Sequence, residues 1–182
     1  MTGPVAMWHT EHVYFRRLLE LLQHELDTFH RGERANYELM LDIVSYLTEY
    51  SDQFHHPRED VAFAKLAVRC PDLKLELARL TQEHRVVARA GETLKKQLEA
   101  ILDGSIMPRA EVEVAAATYL VYYGNHIAKE DELVLDRAVE ALTPEDWLAV
   151  RNAVPTKPDP LFGEAPEKRY RALRRRIHAE VS

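Results

Sequence analysis

Residues 54–60 read FHHPRED, and they lie within a stretch whose apolar residues otherwise follow the spacing of a long helix. A helix that served only to pack against its neighbours would not need two histidines, a proline and two acidic residues in one short segment. The apolar pattern shows which face of this helix is buried, and His55 and Glu59 fall on that face. The segment therefore predicts a helix that carries polar side chains into a protein core.

The composition is that of a soluble globular protein of about one domain. The chain has 182 residues, 46% of them hydrophobic and 30% charged, with a formal net charge of −6. The acidic balance disfavours nucleic-acid binding, and no apolar run is long enough for a membrane-spanning helix. The first residues, MTGPVAMWHTEH, lack the basic and apolar regions of a secretory signal. The single cysteine, Cys70, cannot form an internal disulfide. Without an export signal we expect a cytoplasmic protein, and the charge and the lack of an apolar run predict that it contacts neither nucleic acid nor membrane.

Three proline-free stretches, residues 5–56, 72–107 and 109–143, carry apolar residues at the three- and four-residue spacing of helices. A glycine-containing turn near residues 31–34 divides the first stretch, so the chain holds four long amphipathic helices in succession. Helices joined by short turns pack as antiparallel neighbours. The sequence therefore predicts an all-α fold, an up-down-up-down four-helix bundle with short additional helices at its C-terminal end.

The chain changes character beyond the fourth helix. Thr143 and Pro144 are a favourable N-cap and first residue for a short fifth helix. A proline-rich linker follows at about residues 155–166, and a basic helix ends the chain. We therefore predict a four-helix bundle at residues 1–142 and a C-terminal helical extension at residues 143–182 that packs on the bundle.

A histidine interrupts each of the four apolar seams. The four residues are His12, His55, His84 and His126. A buried histidine that makes one hydrogen bond is a common structural feature, and that interpretation stays open for each residue taken alone. Four of them in one core are harder to explain by packing, because each imidazole loses hydration on burial.

The four histidines also lie at one depth of the predicted bundle. Two residues on consecutive antiparallel helices share a level when they are equally far from the turn between them. His12 and His55 are each about 21.5 residues from a first turn centred at about residue 33.5. The same comparison at the other two turns brings His84 and His126 to that level within roughly one helical turn. The histidines should therefore converge on one slice of the interior.

Two of the histidines have a glutamate four residues later, His55 with Glu59 and His126 with Glu130. Residues four apart share a helix face, so each pair can bind one metal ion or hold one ion and bridge to a second. Four imidazoles and two carboxylates are too many for a tetrahedral zinc site, but they suit two six-coordinate first-row ions. Two buried glutamates with no lysine or arginine on the seams also require cations. The residues alone thus predict a two-metal site.

Pro57 lies between the two presumed ligands of the second helix. Proline removes a backbone hydrogen bond and strains the turn, so a kink held by metal bonds would aim His55 and Glu59 inward. The alternative is that the helix ends at Pro57, although the helix-compatible run at residues 61–67 favours continuation. His56 points about 100° away from His55 on a regular helix, so we expect it in solvent or outside the ligand set.

Four segments carry the presumed ligands: EHVYFRRLL at 11–19, FHHPRED at 54–60, EHRVVARAGETL at 83–94 and NHIAKEDELVL at 125–135. Together they resemble the hemerythrin-like HHE cation-binding proteins. The resemblance covers roughly residues 5–140. It implies a four-helix bundle with a non-haem centre of two iron ions, with or without an oxo or hydroxo bridge, that reacts with dioxygen or related species. Manganese or a mixed metal pair is the alternative. The ligand set that the resemblance implies is His12, His55, Glu59, His84, His126 and Glu130.

Two positions depart from the pattern of the oxygen-carrying hemerythrins. Those proteins have a second histidine one turn after the first on the third helix, where this chain has Ala88. They place the last acid five residues after the fourth-helix histidine, whereas Glu130 sits at four and Asp131 at five. The ligand set is similar instead to a branch with four histidines and two glutamates, associated with iron or oxygen sensing and redox chemistry. We therefore expect one metal to be less fully coordinated by protein, which disfavours reversible oxygen carriage and favours reactivity with oxygen or peroxide.

Several residues near the presumed ligands are expected to lie outside the ligand set. Asp60 and Asp131 each follow a proposed glutamate ligand and are expected to be solvated. Tyr119, Tyr122 and Tyr123 are expected to be core aromatics, and one of them has the alternative role of a redox-active or hydrogen-bonding neighbour of the metals.

Three classes of function follow from these features. The first is a di-iron protein that binds or senses dioxygen, peroxide, nitric oxide or iron itself, so its partner is a small diatomic or peroxide ligand. The second is a di-iron oxidoreductase with catalase- or peroxidase-like activity. The third is a structural bundle whose histidines are merely buried. Ferritin-like bundles match less well because their Glu-x-x-His motif is absent from the sequence.

Overall fold

The computed structural model describes residues 4–154 and 157–179. Residues 155–156 of the predicted linker, and residues 1–3 and 180–182 at the ends of the predicted domains, lie outside this description. All regular structure in the described residues is helical. The helices are α1 (Pro4–His30), α2 (Tyr37–Tyr46), a π-helical segment (Leu47–His55), α3 (His56–Arg69), α4 (Lys74–Leu102), α5 (Arg109–Leu133), α6 (Leu135–Ala141), α7 (Pro144–Ala153) and α8 (Arg171–Ala179). Short 3₁₀ turns at Pro71–Leu73 and Lys168–Tyr170 precede α4 and α8.

Four long rods form the bundle that the sequence predicts. The first rod is α1, the second is the continuous run of α2, the π segment and α3, and the third and fourth are α4 and α5. The third rod packs along the fourth and along both halves of the second, and the first packs along the fourth and the second. Short turns join consecutive rods, so neighbours run antiparallel. The predicted all-α, up-down-up-down bundle is confirmed.

The second rod does not end at Pro57. It is π-helical over Leu47–His55 and returns to α-helix as far as Arg69. The backbone N–H of His56 donates to the carbonyl of Ser51, five residues earlier, which is the hydrogen bond of a π-helix. Pro57 then occupies the first turn of α3, directly after the wider π-helical turn. The helix is distorted and continuous, as predicted, but the distortion is a wider turn before the proline.

Two apolar clusters fill the bundle, one on each side of a polar layer. On α1, Trp8 belongs to one cluster, Phe15 belongs to the other, and His12 lies between them. The histidines therefore lie at one depth, as the distances from the turns predict. The other rods show the same order, with one residue of the Trp8 cluster, one polar residue of the layer and one residue of the Phe15 cluster. These are Ala62, Glu59 and Tyr50 on the second rod, Leu80, His84 and Val87 on the third, and Val134, Glu130 and Tyr123 at the end of the fourth.

The C-terminal helices pack on two faces of the bundle. The helix α7 lies against α3, and a capping box between Thr143 and Asp146 fixes its start, with Pro144 in the first turn as predicted. The helix α8 lies against α2 and buries Leu173 and Ile177. This packing does not test the domain boundary after residue 142, which stays a prediction. None of the described helices is long and apolar enough to cross a membrane.

Candidate metal centre

The six residues predicted as ligands meet in the polar layer. Each of them is at most 5% exposed to solvent. They come from all four rods, which agrees with the sequence argument that the levels of the histidines coincide. The first rod contributes His12, the second His55 and Glu59, the third His84, and the fourth His126 and Glu130.

One group of donor atoms forms between the first and second rods. Nε2 of His12 lies 3.0 Å from Nε2 of His55. Oε1 of Glu59 lies 3.4 Å from Nε2 of His12 and 3.2 Å from Nε2 of His55. Three buried donor atoms therefore face a common point, and we call this group the His12–His55 cluster.

A second group forms between the third and fourth rods. Oε1 of Glu130 lies 3.2 Å from Nε2 of His84 and 3.0 Å from Nε2 of His126. The two imidazole rings meet edge to face, with their centroids 4.6 Å apart. We call this group the His84–His126 cluster.

The two glutamates connect the two clusters. Oε2 of Glu59 lies 3.6 Å from Nε2 of His84, and Oε2 of Glu130 lies 3.5 Å from Nε2 of His12. Each carboxylate therefore presents one oxygen to each cluster. Two cations that share two carboxylates require this arrangement, whereas one tetrahedral ion does not use so many donors.

Several donor atoms lack a hydrogen-bond partner among the described residues. These buried atoms are both carboxylate oxygens of Glu59, Oε2 of Glu130 and Nε2 of His126. Their short contacts with neighbouring atoms are not aligned as hydrogen bonds. A buried carboxylate without a partner destabilises a fold. Cations between the clusters would satisfy all of these atoms, and first-row transition metals bind imidazole and carboxylate well. The residues present therefore fit a metal pair.

Comparison with known protein families agrees with this geometry. The model of the hemerythrin HHE cation-binding domain matches residues 3–138, about three quarters of the 182-residue chain. The chain belongs to the hemerythrin HHE cation-binding family. Comparison with curated proteins and with solved structures gave no significant match. The resemblance drawn from four sequence segments is thus confirmed, and the matched range includes all six predicted ligands.

In this hemerythrin HHE domain, each of the four histidines turns its other ring nitrogen, Nδ1, towards a carboxylate. Such a partner fixes the orientation of an imidazole and leaves Nε2 to face a metal. The four Nε2 atoms are therefore held pointing into the layer. The Nδ1–oxygen distances are 2.7 Å from His12 to Asp131, 2.7 Å from His55 to Glu11, 2.9 Å from His84 to Asp60 and 3.2 Å from His126 to Glu83.

Sequence reasoning missed these four acids. The expectation of a solvated side chain is wrong for Asp131, which is 19% exposed and also binds Arg16. It is incomplete for Asp60, which is 40% exposed but contacts a buried histidine. A signal was present, because Glu11 and Glu83 each stand directly before a predicted ligand histidine in a repeated Glu-His dipeptide.

Carboxylates in the layer raise the pKa of two of its histidines. Burial alone would lower the pKa of His12, but its contacts with Asp131 and Glu59 raise that pKa to about 10. Burial opposes the same shift at His84, where hydrogen bonds to carboxylates again raise the pKa to about 10. Burial would raise the pKa of Glu130, but its contacts with His126 and His84 lower that pKa well below its usual range. Metal ions must displace the protons that these histidines bind, so metal affinity depends on pH.

His56 is a fifth histidine in the polar layer, so the first of its two expected positions, in solvent, is wrong, and the second, outside the ligand set, stays a prediction. Its side chain is buried, and its ring stacks on that of His84 with centroids 4.2 Å apart and an interplanar angle of 11°. One nitrogen each of His56, His84 and His126 lie within 4.8 Å of one another. The expected angle of about 100° assumed a regular helix, but the π-helical turn that ends at His55 is wider and lets both adjacent histidines face inward.

The three tyrosines occupy different environments. Tyr123 is buried, and its hydroxyl donates to Oγ of Ser51 at 2.5 Å, while that oxygen lies 3.2 Å from Nε2 of His56. Tyr119 is buried, and its hydroxyl has no hydrogen-bond partner among the described residues. Tyr122 is 49% exposed, so the expectation of a core position is wrong for it. Of these three tyrosines, Tyr123 alone therefore connects to the histidine layer by hydroxyl contacts among the described residues.

Proposed function

We propose that this hemerythrin-family chain is a non-haem di-iron protein that binds or senses dioxygen, peroxide or nitric oxide, or iron itself. The observation that carries the proposal is that Glu59 and Glu130 each present one oxygen to one imidazole cluster and the other oxygen to the second cluster. A single structural histidine would not need this arrangement. The proposed ligands are His12, His55, Glu59, His84, His126 and Glu130.

The chain's own residues orient the ligands and exclude water from the layer. The ring of Phe15 meets His55 edge to face with centroids 4.9 Å apart, and Trp8 lies against the same imidazole at 6.5 Å. Phe63 stacks on His84 at 5.8 Å. Apolar rings on both sides keep the local dielectric low, which strengthens the attraction between the carboxylates and a cation. When bound, an iron pair supplies redox chemistry and coordination positions for a small oxygen-derived ligand.

Iron is proposed for two reasons: imidazole and carboxylate donors suit it, and the ligand set of this chain resembles that of hemerythrin-like iron proteins. Manganese or a mixed metal pair is the alternative. The test is a visible spectrum of protein produced with excess iron, recorded aerobically and after reduction, alongside iron quantitation. We expect a charge-transfer absorption that is lost on reduction and changes when nitric oxide is added. Iron-loaded protein whose spectrum ignores both reduction and nitric oxide would contradict the proposed function.

A peroxide-consuming oxidoreductase is a second candidate, favoured by the hydroxyl contacts that lead from Tyr123 through Ser51 to His56. Such contacts can pass a proton between these buried hydroxyl groups and the imidazole of His56, and peroxide chemistry requires proton transfer. In disproportionation, two molecules of hydrogen peroxide give two of water and one of dioxygen. Steady oxygen release over many turnovers that is lost in His84→Ala would favour this enzyme. A reaction that stops at one equivalent per centre would favour binding or sensing.

A purely structural bundle is the remaining class. It is disfavoured by the buried carboxylate of Glu59, whose two oxygens accept no hydrogen bond from the described residues. If metal completes the fold, a chelator should lower the melting temperature of the protein as isolated. A melting temperature that does not respond to chelation would support the structural class.

A further inference from the structure

We propose that His56 is a fifth imidazole ligand, bound through Nε2 to the metal ion of the His84–His126 cluster. The inference rests on the proposed function, because it requires a metal pair in the polar layer. It adds a ligand that the sequence analysis left out and makes the two metal positions unequal.

The first support is position. His56 is 3% exposed and comes from the second rod, whereas His84 and His126 come from the third and fourth. One donor nitrogen from each residue lies within 4.8 Å of the other two. Three rods thus deliver three imidazoles to one point, and the fourth rod's Glu130 places Oε1 beside two of them.

The second support is the repeated pairing of Nδ1 with a carboxylate. The four predicted histidine ligands show it at 2.7 to 3.2 Å. Nδ1 of His56 lies 3.1 Å from Oδ1 of Asp52, whose side chain is 12% exposed. Asp52 stands one helical turn before His56, so the carboxylate comes from the same rod. Like the other histidines of the layer, His56 therefore has a carboxyl oxygen beside Nδ1, although these two atoms are not aligned as a hydrogen bond.

The third support is that Nε2 of His56 can bind a cation without leaving its neighbour, the hydroxyl of Ser51, with no hydrogen-bond partner. Its neighbour is Oγ of Ser51 at 3.2 Å, and that hydroxyl already accepts a hydrogen bond from Tyr123. Ser51 therefore keeps a partner when Nε2 binds a cation. An imidazole buried among four others without a metal would lose its hydration and gain little in return.

The assignment says which metal has more open positions. The metal of the His84–His126 cluster would have three imidazoles and one oxygen from each glutamate, five donors in all. The metal of the His12–His55 cluster would have two imidazoles and the same two carboxylates, four donors in all. A six-coordinate ion would then keep one open position at the first and two at the second. A small ligand is therefore expected to bind first at the His12–His55 position, beside Trp8 and Phe15.

The test compares His56→Gln with His24→Gln, an exposed histidine on α1. Metal-free protein of each kind is titrated anaerobically with ferrous iron, and circular dichroism checks that the helices are retained. We expect two equivalents in wild type and His24→Gln, and a second equivalent bound at least tenfold more weakly in His56→Gln. Two equivalents with wild-type affinity in His56→Gln would overturn the assignment alone. Fewer than two in wild type would overturn the proposed function as well.

A second measurement needs no variant and covers the case in which His56→Gln does not fold. Wild-type protein labelled with nitrogen-15 at histidine is loaded with cobalt(II), and paramagnetically shifted imidazole N–H signals are counted by nuclear magnetic resonance. Each bound imidazole keeps one N–H, at Nδ1, opposite its carboxylate. Five shifted N–H signals would support the assignment, and four would overturn it.

Discussion

Nδ1 of His55 lies 2.7 Å from Oε2 of Glu11, and Glu11 directly precedes His12, a proposed ligand on the neighbouring rod. The same relationship passes around the whole bundle. Each acid is adjacent in sequence to one ligand and orients the histidine of the next rod. The four pairs form a closed ring: Glu11 with His55, Asp60 with His84, Glu83 with His126, and Asp131 with His12. The ring ties ligand orientation to the packing of all four rods.

Glu11→Gln should weaken metal binding at the His12–His55 cluster by about 10- to 100-fold. Burial would raise the pKa of Glu11, but His55 and Arg58 lower it to about 2, so this residue is a full carboxylate at neutral pH. An amide there removes the negative charge that holds the imidazole in position. Titration with ferrous iron measures the change, and Glu20→Gln on the exposed face of α1 is the control. Equal affinities in the two variants would contradict this role.

Glu59→Gln should impair both metal positions at once. The reason is that Oε1 of Glu59 faces His12 and His55, while Oε2 faces His84. We expect the metal content after dialysis to fall below one ion per chain. Glu132→Gln, an exposed position on α5, should retain two ions. If Glu59→Gln lost only one ion, the carboxylate would serve a single metal.

Metal-free protein should lose stability as the pH rises from about 6.5 towards 10. His12 and His84 have a pKa of about 10 in the folded chain, whereas the pKa of a histidine in an unfolded chain is about 6.5. The folded state therefore holds more protons in this window, so the stabilisation is complete below it and disappears as the pH passes the folded pKa. Melting temperatures of metal-free protein across this range check the prediction.

Metal binding should show the opposite pH dependence, because the bound protons must leave before a cation can enter. Cobalt(II) affinity should therefore increase over the same range in which the metal-free melting temperature falls. His12→Gln is the control and should flatten part of the fall in melting temperature. A wild-type melting temperature that is constant or rises with pH would show that these imidazoles are not protonated in the metal-free protein.

Gly91→Ala should destabilise the bundle by about 1–3 kcal/mol. A Cβ at this position would lie 2.8 Å from Cγ2 of Thr48 and 3.0 Å from Cε2 of Tyr119. Both neighbours are in the core, so they cannot move away freely. Gly124→Ala on α5 is the matched control, because its Cβ would have no neighbour within 4 Å. Chemical unfolding should show the control unchanged or more stable by about 0.5–1 kcal/mol, and equal losses in both would refute the packing explanation.

The sequence was sufficient to predict the bundle and the meeting of the six proposed ligands. Helical spacing identifies the buried face of each rod, and equal distances from the turns bring His12 and His55 to one level. These arguments use only the regular rise of a helix and the shortness of the connections.

The remaining parts of the centre depend on departures from regular geometry and on contacts between rods. His56 was misplaced because a regular helix cannot turn two adjacent residues to the same side, whereas the π segment before it does. Asp131 was misplaced because periodicity on one rod does not show which side chain reaches a histidine on another. Similarly, Tyr122 follows the core spacing only approximately and points to solvent.

The metal content of the folded chain tests the central claim most directly. Metal-free protein is reconstituted with iron, freed of loosely bound metal by gel filtration, and measured by elemental analysis against protein concentration. The shared carboxylates predict close to two iron ions per chain, and a variant lacking them, Glu59→Gln, should fall below one. A wild-type content below about 1.5 ions per chain would contradict a two-metal centre.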